Sequence, residues 1–154
     1  MTSTATAQSS AFLPLSKPVI EAEEERAVLE CLRSGWLTTG PRTAEFEQAF
    51  ADWLGRKHAI AINSATAGWH LTAHALGIGP GDEVIVPAIT WVSSPNVVEL
   101  LGARVVFADV LSGTLQIDPD DVRRRLTERT RAVIPVHFAG APCDLDSLRD
   151  VVRG

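Results

Sequence analysis

The sequence has no run of about 18 apolar residues, so it offers no segment long enough to cross a bilayer as a helix. It also lacks a basic face. The densest cluster, Arg123-Arg124-Arg125, sits among Asp120, Asp121 and Glu128 and reads as a solvated helix surface. With 14 basic against 19 acidic residues the net charge is −5, so neither nucleic acid nor a membrane is an expected partner. Cysteine is scarce too: Cys31 and Cys143 stand far apart in no CxxC pattern, which excludes a disulfide scaffold and fits free thiols in a reducing, cytoplasmic compartment. Met1 to Ser10 has neither basic residues nor an apolar centre, so it is not a signal peptide. Residues 1–11 read as a disordered tail. Lysine occurs only at Lys17 and Lys57.

What remains suffices for one domain: 154 residues, 45% of them hydrophobic. Phe12 to Pro18 is a proline-punctuated arm. A helix is expected over Ile20–Leu32, with Glu21 and Glu23–Glu25 in its first turns and Gly35 after its end. Trp36 to Pro41 is a loop whose tryptophan fits a core plug as well as a site. Thr43 can cap a second helix with Phe46, Phe50, Trp53 and Leu54 as its buried stripe and Gly55 as its stop. His58–Ile62 reads as a buried strand and 67–76 as a helix. Gly77 to Gly81 is glycine-rich, but it follows a helix and opens a strand, so it is a stop and turn rather than a nucleotide loop. Further strands are expected at 83–86, 103–108 and 131–136. Helices are expected at 93–101 and 119–126, with Asp118 as cap and Pro119 at the first position. Asp144 or Asp146 caps a last helix carrying Leu145, Leu148, Val151 and Val152.

Strands alternate with helices, and the strands are continuous apolar runs. That pattern belongs to a mostly parallel α/β sheet covered by helices on both faces. Ligands in such sheets sit at the C-terminal strand ends. Four loops qualify: Asn63–Thr66, Pro87–Trp91, Asp109–Gly113 and His137–Gly140. Asn63 to Thr66 places small residues and hydroxyls where a helix begins, and free N–H groups there can hold a phosphate or simply take a Ser/Thr cap. Trp91 can stack on a flat ring or pack against the core. His70 and His74 are four apart on a helix, but with no glutamate between them and no third ligand no metal site is expected.

Ser34-Gly35-Trp36-Leu37-Thr38-Thr39-Gly40-Pro41, Phe46-Glu47, Asn63-Ser64-Ala65-Thr66-Ala67, Gly79 to Ile85, Thr90-Trp91-Val92-Ser93, Gly102-Ala103 and Thr130 to His137 follow one another in an order that resembles the DegT/DnrJ/StrS family of sugar aminotransferases, which use pyridoxal phosphate (PLP). The resemblance runs from about Phe12 to the last residue. The forms Ser64-Ala65-Thr66-Ala67-Gly68, Thr90 to Ser93 and His137 to Pro142 are most similar to the branch acting on UDP-4-keto-pentose in lipid A modification. The resemblance implies a fold-type-I transferase, usually a homodimer, that moves an amino group from an amino acid, commonly glutamate, to a nucleotide-linked keto-sugar. By position it implies that Ser64, Ala65, Thr66 and Ala67 bind the PLP phosphate and that Trp91 stacks on the pyridine ring. It places Trp36, Thr38, Thr39 and Gly40 near the sugar nucleotide. His137 lies on a strand-end loop facing the site with no catalytic role assigned. Ala65 stands where many relatives have glycine, which makes the turn less permissive for positive φ.

The same chemistry needs a lysine that forms a Schiff base with PLP and a carboxylate beside the pyridine nitrogen. In the family both come after the position of Gly154. Lys17 lies in the arm, Lys57 precedes the expected strand at its end away from the site, and neither matches the family lysine. Residues 12–154 are therefore expected to be an incomplete major domain, the N-terminal part of such an enzyme, inactive by itself and binding PLP weakly or not at all. The competing expectation is a non-catalytic binding module, or one half of a split enzyme, that completes its sheet with another chain.

Overall fold

The computed structural model describes Phe12, Pro14 and residues 16–153. The expected tail at 1–11 lies outside these residues, as do parts of the arm. The described chain divides into two compact units, one ending at Ala61 and one starting at Ile62.

The first unit holds two helices, α1 (Ala22–Ser34) and α2 (Pro41–Trp53). α1 starts after Glu21, whose backbone N–H donates to Glu24 Oε2 (2.7 Å) in a reciprocal capping box. It ends at Gly35 with φ 72°, the left-handed conformation expected of a glycine past a helix end. α2 is not capped by Thr43. Gly40 is its N-cap and Pro41 its first residue, because a proline there gives up an N–H that has no helical partner anyway. The stripe on α2 is not buried either. Phe46, Phe50, Trp53 and Leu54 are all exposed, with Phe50 packed between Phe46 and Trp53 at ring centroids 5.7 and 6.0 Å apart. Two helices have too little surface to enclose four large side chains, and Ala51 alone is buried in α2.

The expected strand at 58–62 is absent. The Ala61 N–H donates to Glu47 Oε1 of α2 (2.8 Å), and no strand pairs with the segment among the described residues. An extended run without a ladder partner keeps its backbone open, and Ile60 is 79% exposed.

The second unit is a three-layer α/β fold. In order it contains α3 (Ala65–Ala75), β1 (Glu83–Pro87), α4 (Ser93–Leu100), β2 (Arg104–Ala108), α5 (Pro119–Arg125), β3 (Thr130–Val133) and α6 (Leu145–Arg153). The strands are parallel in the order β2-β1-β3. Side chains on β1 alternate. Val84 and Val86 join Ala73, Ile78, Val97, Val98 and Ala103 beneath α3 and α4, while Ile85 joins Ala108, Ile117, Val122, Leu148 and Val151 beneath α5 and α6. The register slips between Glu83 and Val84, leaving Arg131 of β3 unpaired in the ladder, and its Nε meets Asp82 Oδ1 at 3.1 Å. β3 is shorter than expected, although Ile134 N–H still donates to Ile85 O (2.9 Å). Its outer edge meets no strand among the described residues, and a hollow of about 600 Å³ lies beside it, lined by Leu126, Ala132, Leu145, Leu148 and Val152. No described helix is long and apolar enough to cross a membrane.

The Gly77–Gly81 segment is a turn: Gly77 and Gly81 have φ 71° and 94°, and Asp82 Oδ2 accepts the Gly79 N–H at 3.0 Å. Asp144 caps α6, its Oδ1 accepting the Ser147 N–H (2.9 Å). Asp121, buried on α5, accepts the Asp109 N–H from the end of β2 (2.7 Å) and pairs with Arg124 and Arg125. The Asp109 N–H, then the arginines, lower its pKa from 3.8 to about 2. Its stabilising effect is thus complete above pH 3.8 and disappears as pH falls toward 2. Asp121→Asn is expected to cost ~2 kcal/mol near neutrality. In thermal melts the gap between wild type and variant should close as pH falls through that window; a gap independent of pH would assign the loss to packing.

Candidate functional site

The site is built at the first turn of α3. Ser64 is its N-cap, with extended φ −163° and ψ 154°. Its hydroxyl oxygen accepts the Ala67 N–H (3.1 Å), and its own proton points to Asn63 Oδ1 (3.4 Å). Of the first three helical amides only Ala67 is therefore spoken for. Among the described residues nothing takes the Ala65 or Thr66 N–H or the Thr66 hydroxyl, and all are exposed. Those donors sit at the positive end of an 11-residue helix. A Cβ at Gly68 would meet Ile62 Cδ1, the movable end of an exposed side chain.

Trp91 leaves the C-terminal end of β1 and is 76% exposed. Its position is set by its backbone. The Trp91 carbonyl accepts the Ser94 N–H (3.1 Å), which starts α4, and Thr90 Oγ1 reaches Ser94 Oγ (3.3 Å). The Ser94 carbonyl in turn accepts the Trp69 indole N–H from α3 (3.3 Å). Trp69, in the second turn of α3, and Ser94, in the first turn of α4, thus tie together the N-terminal halves of the two helices that the candidate phosphate donors and Trp91 adjoin. Sequence reasoning missed both residues. The bond joins positions 25 apart, and no local pattern marks it.

The rim beyond β3 is held by hydrogen bonds rather than ion pairs among the described residues. His137 Nδ1 accepts the Cys143 N–H (3.0 Å), and the Cys143 thiol donates to Val136 O (2.9 Å). Burial raises the pKa of this thiol, which keeps it protonated. Gln116, also unmarked by any motif, donates its side-chain amide to Ala141 O (2.9 Å) and Pro142 O (2.8 Å).

In the first unit, Trp36, Thr38, Thr39 and Gly40 form one tight loop. The Trp36 indole N–H donates to Thr39 O (2.9 Å), the Cys31 thiol donates to Trp36 O (3.4 Å), and the indole ring lies on Gly40 so closely that a Cβ there would overlap it. The indole N–H is spent inside the loop, which leaves its ring face as what it offers outward.

The model of the DegT/DnrJ/EryC1/StrS aminotransferase family matches residues 18–154. Solved structures agree. Spr1654 of Streptococcus pneumoniae, described as a sugar aminotransferase and solved in PLP, PMP and apo forms, shares 42% identity at a TM-score of 0.85 over 90% of this chain. S. venezuelae DesV, solved with a ketimine intermediate, shares 39% at 0.80 over 86% of this chain. E. coli GDP-4-keto-6-deoxy-D-mannose-3-dehydratase, solved with hydrated PLP, shares 29% at 0.86 over 92%. The chain spans 35%, 36% and 38% of these three.

Two substitutions probe the local geometry. Ser64→Ala removes the cap and is expected to cost about 1 kcal/mol in denaturant unfolding; no change would mean the hydroxyl holds nothing. Gly40→Ala is expected to displace the Trp36 indole, seen as a shift of its N–H cross-peak to a freely hydrated position; an unmoved peak would contradict the packing described.

Proposed function

The chain belongs to the DegT/DnrJ/EryC1/StrS aminotransferase family, and we propose that its second unit carries the phosphate-holding and ring-stacking part of a PLP-dependent enzyme. That enzyme moves an amino group from an amino acid, glutamate, to a nucleotide-linked keto-sugar. The observation that carries the reading is the first turn of α3, where two amides and a hydroxyl have no protein partner among the described residues, on a helix that Trp69 and Ser94 tie to the one Trp91 adjoins. These groups fit the cofactor. The Ala65 and Thr66 N–H groups and the Thr66 hydroxyl match the acceptor oxygens of a phosphate ester at a helix N-terminus. The exposed face of Trp91 matches a flat ring.

When bound, PLP supplies the electron-accepting ring that the amino transfer needs. The α3 turn fixes the phosphate, Ser64 keeps that turn wound, and Trp91 covers one ring face and excludes water from it. Trp36, Thr38, Thr39 and Gly40 are proposed to contact the sugar nucleotide through the ring face of Trp36. None of these residues exchanges a proton at neutral pH, so they bind and orient only. The two lysines, Lys17 and Lys57, both belong to the first unit. We read residues 12–154 as part of the transferase major domain and the 154 residues alone as inactive, the complete enzyme acting as a homodimer. The free thiols of Cys31 and Cys143 fit a cytoplasmic setting.

Titration of the chain with PLP, followed by tryptophan fluorescence, is expected to show weak, saturable binding. Trp91→Ala should weaken it about tenfold, the scale of one aromatic stacking contact. Borohydride treatment should fix no specific adduct on a lysine. Equal affinity in Trp91→Ala overturns the stacking role, and a specific reduced adduct at Lys17 or Lys57 overturns the inactivity.

A further inference from the structure

β3 leads to a side chain that the reading above leaves idle. His137 Nδ1 accepts the Cys143 N–H at 3.0 Å. A ring nitrogen that accepts a hydrogen bond carries no proton, so the neutral imidazole holds its proton on Nε2. The side chain is exposed, and Nε2 has no protein partner among the described residues. The loop that presents it is held firmly. Cys143 ties back to Val136, and the buried Gln116 straps Ala141 and Pro142. Ala139 takes φ 53°, a left-handed conformation that costs a residue with a Cβ about 1 kcal/mol or more and persists only where the surroundings impose it. β3 neighbours β1 in a parallel sheet, so this loop and Trp91 leave the same end of the sheet.

We propose that His137 is a binding residue of this site: an Nε2–H donor of fixed tautomer, directed at an anionic oxygen of the bound molecule. The oxygen belongs either to PLP itself or to the diphosphate of the sugar nucleotide, and the two sources are separable. The proposal rests on the PLP reading above.

The test uses the full chain labelled with ¹⁵N and long-range imidazole spectra at neutral pH. Without ligand, His137 is expected as a single Nε2–H tautomer; an Nδ1–H tautomer overturns the inference. Addition of PLP alone, or of UDP alone, should shift the His137 Nε2 resonance, and the ligand that shifts it names the oxygen. His137→Asn places Oδ1 where Nδ1 stood, so the Cys143 N–H keeps an acceptor while the distal donor is lost. This variant should melt within a few degrees of wild type and bind the shifting ligand at least fivefold more weakly. His137→Gln, which restores a distal N–H, should recover part of that affinity. If wild type binds PLP, neither ligand moves the Nε2 resonance and His137→Asn binds as tightly, this inference falls and the site reading stands. If wild type binds neither PLP nor UDP, both fall.

Discussion

β1 is the constraint on which the second unit depends. All five of its residues are buried, and its side chains alternate between two separate cores. Burying a valine or isoleucine contributes about 1.5–3 kcal/mol, so Val84, Ile85 and Val86 together outweigh any single polar contact in the unit. Because each face of β1 must be covered, α3 and α4 are drawn to one side and α5 and α6 to the other. The places where those helices begin and end follow from that sandwich.

The two ends of β1 do different work. At its start, Glu83 is buried and accepts from the Thr127 hydroxyl (2.6 Å), Arg129 (2.8 Å) and Arg104 (3.4 Å). The Thr127 hydroxyl, then the two arginines, hold its pKa below the usual carboxylate value against the opposing effect of burial. The network joins the segments leading into β2 and β3 to β1 and closes that end of the sheet. At the other end Pro87 ends the ladder, and the chain opens into loops. Charge locks the closed end, while the open end carries the loops of the candidate site.

The sequence made the second unit legible because its signals were local. Apolar strand runs, Asp118-Pro119 at a helix start and the glycine turn after α3 each depend on neighbours within a few positions, and each appears where expected. The first unit was misread for the opposite reason. The spacing of Phe46, Phe50 and Trp53 reports an amphipathic helix but not whether anything covers its apolar face, and in the structure these side chains are exposed. His58–Ile62 has strand composition, yet a strand exists only when a partner accepts its hydrogen bonds, and composition carries no information about partners. Within the candidate site, Ser64 as a helix cap was legible from its residue type, and Trp91 was marked by motif order. Trp69, Ser94, Gln116 and Cys143 were not, since each acts through one long-range hydrogen bond that any of several residue types provides.

Those four residues also set how the open end handles charge. Near this rim in the second unit, the bonds that shape α3, α4 and the β3 loop come from an indole, a thiol, an amide and backbone groups, none of them charged at neutral pH. Seven of the unit's eight arginines are engaged elsewhere: Arg104, Arg129 and Arg131 at the start of β1, Arg123, Arg124 and Arg125 on α5, and Arg149 on α6. The Asp109 carboxylate at the end of β2 accepts its own neighbour's N–H, from Val110 (2.8 Å). An anion at the α3 turn therefore meets oriented N–H donors and a helix dipole instead of a mobile cation. Directed donors discriminate by geometry more than by charge, and contacts made at short range are screened less by salt than separated surface charges. Oriented donors of this kind would favour an acceptor whose oxygens match their geometry, as those of a phosphate ester do, over one that offers charge alone.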